Sequence, residues 1–118
     1  MPVYKQDLNG KETWEAETIQ RFTADGGTIA VQPGRYTLVA LAVASADTAL
    51  PLPTQADNGK IVCIWSEFAH AHVITTPATG INGALHLGTF GAALGNSFTL
   101  VARNASWWVI ANVGVVLS

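Results

Sequence analysis

The sequence predicts a nearly all-β fold: a jelly-roll-like β-sandwich of about eight strands behind a polar N-terminal arm. Three features predict it. Apolar runs such as Tyr36–Ala44, Ile61–Trp65 and Val109–Leu117 are strand-sized and rich in β-branched residues. Turn signals separate the runs, among them Pro33-Gly34, Asp57-Asn58-Gly59 and Gly91–Gly95. Charge is crowded into one end: Lys5, Asp7, Lys11, Glu12, Glu15, Glu17, Arg21 and Asp25 all precede Gly26, and the rest of the chain carries only Arg35, Asp47, Asp57, Lys60, Glu67 and Arg103.

That asymmetry divides the chain into an arm, residues 1–27, and a single β-body, residues 28–118, within a length of 118 residues that suits one domain. In the arm, Glu12 to Phe22 fits a short helix capped by Asn9 or Thr13, with Trp14, Thr18 and Phe22 on one face. An extended segment fits almost as well, with Trp14, Ile19 and Phe22 as apolar anchors along a polar strip. Such an arm lies across another surface or forms an edge of its own body.

In the body, Thr28–Gln32 and Tyr36–Ser45 read as strands joined by the Pro33-Gly34 turn into a hairpin. Leu50-Pro51-Leu52-Pro53 is excluded from any central strand, because each proline removes a ladder donor. Lys60–Glu67, His70–Thr76, Ala84–Phe90, Phe98–Arg103 and Ser106–Leu117 complete the set. Tyr36–Val43 and Ile61–Trp65 are apolar on both faces, so both faces require cover, whereas a lone sandwich wets its outer side. The last strand is apolar almost to its final residue. Hydrophobic residues make up 49% of the chain, charged residues 12%, and the mean hydropathy is +0.30. Self-association is the economical expectation for a chain with so little polar material to cover itself.

Composition also excludes functions. No run reaches the roughly 20 apolar residues of a spanning helix, so no membrane partner is expected. The first residues, MPVYKQDLNGKE, lack a secretory pattern, and the protein is expected to stay where it is made. A net charge of -2 offers no basic footprint, so no nucleic-acid partner is expected. The single Cys63 lies in an apolar strand and reads as an inert thiol.

Few groups could carry chemistry. His70-Ala71-His72 places two imidazoles on one strand face, but two are not a metal site and no carboxylate or Cys stands at a supporting interval. Asp47, Asp57 and Glu67 do not form an evident acid/base pair, and Asp57 sits in a turn where its side chain bonds the local backbone. Ser66, Ser97 and Ser106 lack a nucleophile elbow, and Gly88–Gly95 lacks the Lys-Ser/Thr of a phosphate loop. Trp107 and Trp108 are strand neighbours and face opposite ways, so one belongs to the core and the other to an interface. No catalytic residue, metal or cofactor is expected, and no enzyme.

From Tyr36 to Ile110 the order of features carries a resemblance: the Leu50-Pro51-Leu52-Pro53 step, the Ala56–Val62 turn and strand, His72–Thr76, Gly80-Ile81-Asn82-Gly83, Asn96–Val101, and Asn104–Ile110 with its two tryptophans. In these the chain resembles a small β-domain of tailed-bacteriophage virion proteins, found in capsid decoration (cement) proteins and in tail-fibre and spike components. The resemblance implies a homotrimer, a virion location after synthesis in the host cytoplasm, and no catalytic residues to carry over. The absence of a fibre shaft, heptads or a second domain favours the capsid decoration protein, whose partner is the major capsid protein, over a tail-tip or fibre receptor-binding module. On that expectation Trp14 and Phe22 of the arm contact the capsid, and Trp108 and Val116 hold the subunit interface.

Overall fold

The structure is a computed structural model that describes residues 18–44 and 46–118 in full, together with the backbone of two N-terminal strands, β1 (Pro2–Gln6) and β2 (Glu12–Ala16), which pair antiparallel. Ten further strands follow: β3 (Ile19–Phe22), β4 (Gly27–Thr28), β5 (Tyr36–Leu41), β6 (Thr48–Ala49), β7 (Ile61–Ser66), β8 (Val73–Thr75), β9 (Leu87–Phe90), β10 (Ser97–Arg103), β11 (Ser106–Val113) and β12 (Val115–Leu117). They form two five-stranded sheets, in the orders β11-β10-β7-β5-β3 and β12-β9-β8-β6-β4. The described residues contain no α-helix, and their one helical turn is the 3-10 segment Gln55–Asp57. No helix among them is long and apolar enough to cross a membrane. The all-β sandwich expected from the sequence is present.

Its connectivity is not that of a jelly roll. From β3 to β8 the chain alternates between sheets, and each strand lies parallel to the one before it in its own sheet: β3 with β5 and β5 with β7, β4 with β6 and β6 with β8. This half is a coil of three turns, each contributing one strand to each sheet. The remaining strands are antiparallel and complete both sheets: β10 on β7, β11 on β10, β9 on β8, and β12 on β9. A jelly roll consists of antiparallel Greek keys, so that expectation is corrected. The Pro33-Gly34 hairpin is corrected with it, because the strands on either side of that turn belong to opposite sheets. The cause is Ile29, fully buried between them, which carries the chain through the core where a hairpin would return it along one edge.

The arm boundary also moves. β3 is an edge strand paired with β5, and Gly27 pairs with Thr48, so the body begins by Ile19 and not at residue 28. Of the two readings of the arm, the backbone of Glu12–Ala16 and Ile19–Phe22 is extended.

Strict alternation explains why the sheets stack. Along β7 and β10 the even-numbered residues are buried and the odd-numbered ones are not. Val39, Leu41, Val62, Ile64, Phe98 and Leu100 from one sheet meet Ile74 and Phe90 from the other, with Ile29, Leu50 and Ile81 supplied by loops. Phe90 and Phe98 pack edge to face with centroids 5.7 Å apart. Gly88 makes room for this pair: a Cβ there would lie 2.9 Å from Phe98 Cζ. Trp107 is fully buried, and its indole N–H donates to the Pro51 carbonyl at 2.8 Å, so the Leu-Pro step caps the core without joining a ladder.

The turn before β7 is held by Asp57. Its carboxylate accepts the Thr54 backbone N–H at 2.9 Å and the Lys60 ammonium at 2.9 Å. Lys60, then the Thr54 N–H, holds the carboxyl below its ordinary value of 3.8. A depressed folded value gives stability that is present above the ordinary carboxylate range and is lost as the pH falls through the folded value. The expected outcome is that Asp57→Asn lowers the urea midpoint at about pH 6 and that the difference from the parent narrows as the pH falls below the ordinary carboxylate range.

Candidate assembly surface

Inward positions make the core, so the outward positions decide what the body presents. On the β11-β10-β7-β5-β3 sheet, strand register lines the outward residues into three rows. The middle row is Ile19, Leu38, Cys63, Thr99 and Ala111. Toward one end lies Tyr36, Ile61, Val101 and Trp108, and toward the other Arg21, Ala40, Trp65, Ser97 and Val113. Arg21 is the single charged residue in these rows, and it sits at the rim 3.7 Å from Glu67. Ile19, Ile110 and Val113 are 50%, 57% and 58% exposed. A β-bulge between Thr99 and Leu100 sets Ile110 out of register on the edge strand.

The opposite sheet differs. Its outward residues include Thr28, Ala49, Val73, Thr75, Leu87, Thr89 and Val116, so hydroxyls interrupt the apolar surface. The sandwich is therefore asymmetric, with one polar-flecked face and one nearly continuous apolar face. Five strands about 4.8 Å apart and three rows about 7 Å apart give the apolar face a flat projection of roughly 500 Å². At about 25 cal/mol per Å² its burial would supply about 12 kcal/mol gross. That is within the range of ~4–15 kcal/mol that association costs in lost freedom, so a stable contact needs the relief of the side chains as well as the flat area.

Charge is sorted along the strands. Arg35, Lys60 and Arg103 stand together at one end, where Ile61 N–H donates to the Arg35 carbonyl and Ala102 N–H to that of Lys60, with Asp57 as the acid among them. Asp25, Asp47 and Glu67 gather at the other end with Arg21. There Asp47 N–H donates to Asp25 at 3.2 Å, and Asp47 accepts the Val73 N–H at 2.9 Å. The middle of the apolar face carries no charge at all.

The residues expected at interfaces are placed apart. Trp108 is 40% exposed on the apolar face, and its neighbour Trp107 is in the core, as strand alternation requires. Val116, 68% exposed, lies on the outer side of the other sheet. Both belong to one contact only if that contact is heterologous, one copy's first sheet against the next copy's second, as in a three-fold ring. The reason they lie apart is Gly114, with φ of +72°, which turns the chain from β11 in one sheet to β12 in the other and splits what reads as a single terminal strand. Asn112 bridges that step, accepting the Val115 N–H at 3.0 Å and donating to the Val115 carbonyl at 2.8 Å. Phe22 is half-buried and packed against the core beside Gly27. The side chain of Trp14 lies outside the described residues.

The histidines do not share a strand face. His72 is fully buried before β8, and its Nε2–H donates to the Phe68 carbonyl at 3.0 Å; the His70 ring lies 5.2 Å away, centroid to centroid. Among the described residues no three His, Cys, Asp or Glu side chains converge as a metal cluster.

No protein-family model and no curated protein matches the chain. Among solved structures, one described as "Structure of a chaperone-substrate complex" is similar, with a TM-score of 0.54 and 18% identity. The likeness covers 93% of this chain and 21% of that one, so this chain spans about a fifth of the length of its structural neighbour. At this identity the likeness is one of fold.

Proposed function

We propose that this protein is a non-enzymatic structural subunit of a bacteriophage virion, a capsid decoration protein that binds the outer surface of the shell as a homotrimer. The observation that carries the reading is the apolar face centred on Cys63, charged only at its rim by Arg21, which suits contact with further copies of the chain. The resemblance in sequence supplies the viral setting, the trimer and the partner. In this reading the mechanism is energetic: copies joined through the apolar face present several weak contacts to the major capsid protein at once, and avidity multiplies them. The N-terminal residues, Trp14 among them, are assigned to the capsid.

The test is reconstitution. Purified protein added to shells that lack it should bind stoichiometrically and raise the temperature at which the shells rupture. Shells that neither bind it nor gain resistance would remove the assignment. A second reading, a tail-tip or fibre receptor-binding module, rests on the same resemblance in sequence. It predicts binding to intact host cells and none to shells.

A further inference from the structure

The cationic end of the sandwich, where the apolar face ends at Val101 and Trp108, holds a second feature. An open cleft of about 650 Å³ lies between the β10–β11 hairpin and the turn at Asn58-Gly59. Trp108 lines it, with Arg103, Asn104 and Asn58 as its polar residues. A second cleft of about 390 Å³ adjoins it through Asn58 and Gly59 and brings in Arg35 and Lys60.

The Trp108 indole is fixed before any ligand arrives. Its N–H donates to the Arg103 carbonyl at 3.1 Å. At the far side of the ring, a Cβ on Gly83 would lie 3.6 Å from Trp108 Cη2. The rim is fixed too: Asn58 accepts the Asn104 backbone N–H at 3.1 Å and donates to Gln55 at 3.2 Å. Asn104 itself makes no side-chain hydrogen bond among the described residues, so its amide is available to a ligand.

Three of the four cations among the described residues, Arg35, Lys60 and Arg103, stand at this end against one acid, Asp57. Lys60 is taken by Asp57 at 2.9 Å, which leaves Arg35 and Arg103 without an acidic partner among the described residues. A rigid aromatic face, a free amide and unpaired guanidinium groups together suit a ring with apolar C–H faces, hydroxyls at its edge and a negative group. We infer that this cleft binds an anionic saccharide, with a sugar ring stacked on Trp108, its hydroxyls on Asn104 and its carboxylate on Arg103. A single-stranded nucleic acid would also stack, but it asks for a longer basic track than this body of neutral overall charge provides.

The inference does not depend on the virion reading; it requires Trp108, at the end of the apolar face, to lie outside the contact between copies, and its experiment is separate. Full-length ¹⁵N-labelled protein is titrated with a tetrasaccharide of alternating glucuronic acid and N-acetylglucosamine, with the neutral N-acetylglucosamine tetramer as control. Saturable shifts of the Trp108 indole N–H and the Arg103 side chain are expected. The neutral sugar and Arg103→Gln should each weaken binding by about tenfold, the scale of one charge-assisted contact, and rising salt should weaken it further. Trp108→Ala, followed through the Arg103 side-chain shift, should weaken binding by about tenfold, the scale of one lost stacking contact. Absence of a saturable shift at millimolar sugar would overturn the site. Equal affinity for the neutral tetramer would overturn its anionic character, and tighter binding of an oligothymidylate would overturn the ligand class.

Discussion

Trp107→Ala is expected to cost the fold about 3–5 kcal/mol, the range for deleting a buried aromatic side chain. Trp107 is the largest fully buried residue, and its indole also satisfies the Pro51 carbonyl at 2.8 Å. Its own backbone ties β11 to the loop before β9, donating to the Gly80 carbonyl at 2.7 Å and accepting from Asn82 at 2.8 Å. Truncation leaves a cavity and an unpaired acceptor together. Trp107→Phe separates the two effects: it keeps most of the volume and should cost about 1–3 kcal/mol, mainly for the stranded carbonyl. Denaturant unfolding followed by far-UV circular dichroism measures both, and a loss below about 1 kcal/mol for the Ala variant would show that Trp107 does not anchor the core.

On the proposed self-association through the apolar face, Leu38→Glu is expected to separate the copies without unfolding the chain. Leu38 is in the middle row of the apolar face with Ile19 and Cys63 as register partners, and it points away from the Val39 and Leu41 that fill the core. A carboxylate there would be buried without a partner wherever another copy covers it, which costs several kcal/mol. Self-association should weaken by at least about 100-fold, or roughly 2.7 kcal/mol, and light scattering should show the mass falling to that of the single chain. Cys63 gives a second readout, because it is the chain's one cysteine and its neighbour on that row. A maleimide should label it slowly in the assembled parent and quickly in the variant. Unchanged mass together with unchanged labelling would rule this face out as the contact.

Much of the sandwich was legible in side-chain alternation, and what was illegible has physical causes. Ile61–Ser66 and Ser97–Arg103 announce themselves because inward residues must be apolar in any stacked sheet, whichever way the neighbouring strand runs. For the same reason alternation says nothing about parallel against antiparallel pairing, and the coil from β3 to β8 went unread. β4 and β6 have two residues each, too few to show a period. The apolar face was foreshadowed by strands hydrophobic on both sides, and Trp108 by its adjacency to Trp107. That Val116 and Trp108 lie on different sheets was not legible, because a single Gly114 in a left-handed conformation changes the sheet to which every later residue belongs. The cleft at the cationic end was not legible, since Arg35 and Asn58 are far in sequence from the hairpin that carries Arg103 and Trp108 and meet it only through strand register. Asp57 was read correctly, because an Asp-Asn-Gly turn fixes its partners locally.

The coil has a further consequence, for how such a body could change size. Each of its turns adds one strand to each sheet and touches chiefly the turn before it, as the units of a stacked repeat do. Duplicating the segment from Tyr36 to Lys60 would widen both sheets by one strand, about 4.8 Å, and lengthen the outer rows by one residue each, while the antiparallel half from β9 to β12 kept its register. Breadth is thus an adjustable quantity in this architecture: a gene duplication of one turn alters the area offered to neighbours without redesigning the core that closes the other side.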